Sequence, residues 1–78
     1  MERTVKLIWD FRGPDAPATA AHFLHHLQAY PLEGLDPETG TENNGPSHSI
    51  AYMIVPESAI RTLRDALKPH RGIYVESP

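Results

Sequence analysis

Two groups of residues have the types and spacing to do chemistry. In the first, His22 and His26 are spaced i,i+4 and His22 and His25 i,i+3. On a helix their imidazoles can meet above one turn, as metal ligands do. Zinc takes three or four ligands, and no Asp, Glu or Cys close in sequence completes such a set. Phe23 and Leu24 follow His22, where a His-Glu-x-x-His protease motif needs its Glu. The metal reading rests on His22 and His26 alone, and a solvated polar helix face accounts for the same spacing. No metal and no cofactor is expected.

The second group is dispersed: Asp10, Arg12 and Gly13 near the start, His48 in the middle, and Lys68, His70 and Arg71 near the end. Two arginines offer paired planar donors to a carboxylate or phosphate. An imidazole binds or transfers protons near neutral pH. A carboxylate accepting from one imidazole nitrogen sets the tautomer and raises the basicity of the other, the minimal device for proton transfer. Other routes to catalysis are poorly supplied. Ser47, Ser49 and Ser58 lie in no nucleophile-elbow sequence, and the glycines form no phosphate loop. Glu33, Asp36, Glu38 and Glu42 fall on a segment read as a mobile loop, which cannot hold two carboxylates at a fixed separation.

Composition narrows the classes. The chain has 78 residues, 40% apolar and 22% charged, as expected of one globular domain covering 1–78. The absence of cysteine excludes a disulfide scaffold, a thiolate zinc site and a cysteine nucleophile. A net charge of −3 argues against nucleic acid as a partner. No apolar run reaches the roughly 18 residues of a membrane span, and the N-terminal residues lack a signal peptide's apolar stretch. The expected location is cytoplasmic, with no membrane partner.

The dispersed residues meet only if the elements bring them together. Thr4 to Phe11 alternates with period two, with Val5, Leu7, Trp9 and Phe11 on one face, and reads as a strand. A helix follows over Ala16 to Ala29, capped by Asp15 or Ala16 with Pro17 in its first turn. Its buried stripe is Ala16, Ala20, Phe23, Leu24, Leu27 and Tyr30, leaving His22, His25 and His26 outside. Residues 31–47 carry strong turn signals and little to bury; Glu38 to Glu42 is the candidate for a short edge strand there. Ser49 to Val55 is apolar on both faces and reads as a central strand. Glu57 to Lys68 is an amphipathic helix burying Ala59, Ile60, Leu63, Ala66 and Leu67, with an exposed Arg61–Asp65 pair. Pro69 stops it, and Gly72 to Glu76 is a last strand.

The order β-α-(β)-β-α-β, its second strand short or missing, predicts an α+β, two-layer ferredoxin-like (split βαβ) sandwich. The antiparallel sheet should run fourth, first, third, second strand, with both helices on one face. In topology the chain resembles the small α+β modules that include regulatory amino-acid-binding domains and dimeric α+β barrels. That resemblance rests on element order and implies no particular function.

This topology predicts that Asp10, Arg12, His48, Lys68, His70 and Arg71 meet at one sheet edge, beside the N-terminus of the first helix. Ala16 to Ala18 would offer backbone donors there. The expectation is a non-enzymatic module with an anion site at Arg12, Gly13, His48, His70 and Arg71. The alternative is a small enzyme using Asp10 with His48 or His70. Ile8 and one face of the third strand should form an apolar patch on the sheet face away from the helices. Such a patch implies a homodimer through that face or through a sheet edge.

Overall fold

The computed structural model describes residues 3–30, 34 and 37–75. Alternation of apolar and polar side chains makes a strand of Thr4–Arg12 (β1), and Gly13, at φ +110°, turns the chain out of it. Helix α1, Ala16–Ala29, follows with Pro17 in its first turn, where a missing N–H costs least. Strand β2, Glu38–Asn43, occupies the segment where a short edge strand was expected; residues 31–33, 35 and 36 lie outside the described residues. A tight connection carrying Gly45 at φ +122° leads to β3, His48–Pro56.

The second helix departs from its expected start. Glu57–Ala59 forms a 3-10 turn, and the α-helix proper, α2, is Ile60–Leu67. Its inward stripe is therefore short: Leu63 is buried, Ile60 and Leu67 partly so, and Ala66 lies exposed at the margin. The Arg61–Asp65 pair is not formed among the described residues; Asp65 approaches Arg64 instead, at 3.9 Å and in full solvent. Lys68 ends the helix in the left-handed region, φ 49° and ψ 61°, because Pro69 forbids another turn. Strand β4 is Arg71–Val75, one residue earlier than expected, and Glu76 lies outside the described residues.

The four strands form one antiparallel sheet in the order β2-β3-β1-β4. Read from the other edge, this is the fourth, first, third, second order that the sequence predicts. Pairing Val5 with Val55, Leu7 with Met53 and Trp9 with Ala51 sends one apolar set to one face. Leu27 of α1 and Leu63 of α2 join that set in a single core, so both helices cover the same face. Trp9 pins the layers: its indole N–H donates to the carbonyl of Leu67 at 2.9 Å, and its ring packs 5.2 Å from that of Phe23. Among the described residues no helix is long and apolar enough to cross a membrane.

The opposite face carries Lys6, Ile8, Asp10 and Arg12 beside Ile54, Tyr52, Ile50 and His48. It is not the bare apolar patch that the alternation implies, since Ile8 and Ile50 are only 3% and 2% exposed. Long polar side chains roof it. Tyr52 leans across its neighbour Gly40, so closely that a Cβ there would lie 2.6 Å from the phenol oxygen. Lys6 reaches over the Tyr52 ring, 4.4 Å from its centroid, to bind Glu42 at 2.9 Å. Arg71 and Tyr52 flank Ile8, while Asp10 and Glu42 flank Ile50. Amphipathic stems and aromatic rings do here what a third layer would do elsewhere. The large hydrophobics left exposed among the described residues are Ile73 and Tyr74, both on β4.

Candidate functional site

The ends of β1, β3 and β4 converge on Asp10. Antiparallel pairing sets Asp10 opposite Ile50 and Arg12 opposite His48, while β4 departs from Arg71 opposite Ile8. His48 donates from Nε2 to Asp10 Oδ1 at 2.9 Å. Arg71 grips both carboxylate oxygens, Nε to Oδ2 at 3.1 Å and Nη2 to Oδ1 at 3.1 Å. This is the two-pronged geometry that makes arginine a directional partner for a carboxylate.

His70 enters differently. Its Nδ1 accepts the backbone N–H of Asp10 at 2.8 Å, and its own backbone N–H donates to the carbonyl of Ile8 at 2.9 Å. The imidazole thus satisfies a main-chain donor of β1 just where β4 begins. A nitrogen that accepts a hydrogen bond carries no proton, so His70 holds its hydrogen on Nε2. The 4.0 Å approach of His70 Nδ1 to Asp10 Oδ2 is for that reason not an ion pair.

Charge follows from these contacts. Partial burial pushes the Asp10 carboxyl up, but hydrogen bonds from His48 and Arg71, with the Arg71 charge, outweigh it. The carboxyl ends below its ordinary value. Asp10 is 17% exposed and Arg71 51%, so the carboxylate is sheltered while the guanidinium that covers it faces water.

Four of the residues expected to meet do so: Asp10, His48, His70 and Arg71. Arg12 lies beside His48 in register on the same face, exposed and without an ion pair among the described residues. The Gly13 N–H donates to the Ser47 carbonyl at 2.9 Å, closing the two strand ends against each other. Lys68 is exposed and its backbone caps α2 through Arg64. At the start of α1 the Ala16 N–H donates to the Gly13 carbonyl at 3.1 Å and Pro17 has none to give, so neither serves as the anion donor expected there. The exposed histidines of α1 do meet: His22 and His26 stand with Nε2 atoms 3.3 Å apart and rings edge to face. Among the described residues no group of three metal-ligating side chains forms around them.

Two features escaped sequence reasoning. The Arg71 grip on Asp10 is one, because side-chain choice among nearby acids and bases leaves no mark in a pattern of types. The other is a groove of about 280 Å³ between α2 and β4, lined by Val5, Leu7, Ile60, Arg64, Gly72 and Tyr74. Its signal is the Gly72-Ile73-Tyr74 run, where a glycine on the helix side of an edge strand leaves room above the sheet. Compared with family models, with curated proteins and with solved structures, the chain matches none.

Proposed function

We propose that this chain is a non-enzymatic binding module of ferredoxin-like fold that takes a small carboxylate or phosphate at the Arg71 end of the sheet. The fold reading is supported by the element order and by the strand order read from β4. The observation that carries the functional reading is the two-pronged grip of Asp10 on Arg71. It fixes a half-exposed guanidinium in one orientation and leaves Nη1 outside the grip, available to a ligand. The Nε2–H of His70 and the exposed Arg12, which has no ion pair among the described residues, lie at the same end of the sheet. Histidines aside, Arg12 and Arg71 outnumber Asp10 and leave a local charge of +1 in a protein whose net charge is −3. An exposed site of that charge binds weakly and loses affinity as salt rises. Calorimetric titration with phosphate and citrate tests it. The native chain should bind one of them saturably, and the Arg12→Ala/Arg71→Ala variant should lose that binding while keeping its circular dichroism. Binding unchanged in the double variant would overturn the reading.

The 2.9 Å contact of His48 with Asp10 favours a second reading, a proton-transfer enzyme in which Asp10 orients His48 as a general base. Turnover of an activated ester that His48→Gln removes would favour it over binding. Hydrolysis by the native chain at the buffer rate would count against it.

A further inference from the structure

We propose that β4 pairs with β4 of a second copy about a two-fold axis at Ile73, with each Tyr74 entering the groove beside the other chain's Gly72. The two edges of the sheet differ in kind. β2, Glu38–Asn43, carries two glutamates and an asparagine, the charged and polar character that protects an edge from pairing. β4, Arg71–Val75, presents the exposed Ile73, at 48%, on one face and Tyr74, at 57%, on the other. An edge strand exposing large apolar groups on both faces is a template for another strand.

The sequence of β4 is complementary to itself. In an antiparallel pair centred on Ile73, that residue faces its own copy, Arg71 faces the partner's Val75, and Gly72 faces the partner's Tyr74. No like charges oppose each other, which centring the pair on Arg71 would enforce. The glycine opposite the tyrosine is the second half of the fit. Gly72 and Tyr74 share the helix-side face of β4, by pairing with Leu7 and Val5. In the single chain the Tyr74 hydroxyl donates to Glu57 Oε2 at 2.7 Å and Arg3 lies 5.1 Å from its ring, exposed contacts that the ring exchanges for the partner's groove on pairing. The groove above Gly72, about 280 Å³ and floored by Val5, Leu7 and Ile60, is open to an aromatic side chain crossing from a neighbouring strand. Arg64 also lines the groove, so a ring entering it would lie beside a cation. The same arrangement already exists inside the sheet, where Tyr52 lies across Gly40 of the adjoining strand and Lys6 stands over the ring. An aromatic side chain covering a cross-strand glycine is a recurrent way to fill the space a glycine leaves. Arg71 belongs to both sites, opposite the partner's Val75 while it holds Asp10 on the Ile73 face, so the variants that test the pairing change Ile73, Tyr74 and Val75 and leave the Arg71–Asp10 grip in place.

A strand pair of five residues buries less than the ~1,600 Å² of a standard interface, so the dimer is reversible, populated in the range of about 10–100 µM. Sedimentation velocity of the whole chain across and above that range should show a monomer–dimer equilibrium. Ile73→Lys should leave only monomer, with unchanged circular dichroism. The chain has no cysteine, which gives a register test. Residues opposed across an antiparallel pair have Cα atoms about 4.5–5.5 Å apart, within disulfide reach. Ile73→Cys should therefore cross-link with itself on mild oxidation, whereas Tyr74→Cys and Val75→Cys, facing glycine and arginine, should not. A native chain that stays monomeric, a dimer that survives Ile73→Lys, or cross-linking at Val75 as ready as at Ile73 would each overturn the proposal.

Discussion

Asp10 is the residue on which the site turns. Its carboxyl is held below the ordinary value in the folded chain, so it contributes stability that is fully present above the unfolded carboxylate value of about 3.9. That contribution is lost as pH falls through the depressed folded value. Asp10→Asn removes the charge but nearly keeps the shape. At pH 7 it should cost about 1 kcal/mol, a modest figure because Arg71 is half in water. The check is the urea midpoint followed from pH 7 to about pH 2.5 in both proteins. The difference between them should shrink below about pH 4 and vanish once Asp10 is protonated in native protein. A difference that stays constant down to the lowest pH would contradict the role given to Asp10. At this scale the sequence showed which residue types were present and not which would bind which. Arg12 and Arg71 are both within a few residues of strand ends near Asp10, and only the geometry of the β1–β4 crossing selects Arg71.

At the scale of elements, periodicity carried far where burial was strong. β1, α1 and β3 stand within a residue or so of their expected bounds because each has a face that must be buried. α2 was harder, since a 3-10 turn and an α-turn place apolar residues at nearly the same spacing over three or four positions. β2 has almost nothing to bury, and its existence was legible only as the implausibility of a long structureless loop. The end of α2 invites a test. Lys68 sits at φ 49°, where a Cβ is crowded and glycine is not. Lys68→Gly should raise stability by about 0.5–1 kcal/mol, read as a higher urea midpoint at unchanged slope. A fall in the midpoint would mean that the lysine side chain holds the turn in a way its exposed position does not suggest.

At the scale of the whole molecule, a small sheet has covered one face with two helices and the other with its own long side chains. The element order made the convergence of Asp10, His48, His70 and Arg71 legible in advance, because antiparallel neighbours must begin and end together. It did not reveal that Lys6, Tyr52 and Arg71 would roof Ile8 and Ile50, since the alternation of types says where a side chain starts and not where it lies. With that face closed, apolar exposure among the described large side chains is concentrated on β4, and the charged donors face water at one end. Whether those donors form an anion site organised by Asp10 is decided by amide-shift NMR of the labelled native chain titrated with phosphate and citrate. Saturable shifts are expected, confined to Arg12, Gly13, His48, His70 and Arg71 and suppressed in the Arg12→Ala/Arg71→Ala variant. Shifts absent at those amides, or equal in that variant, would contradict the anion site.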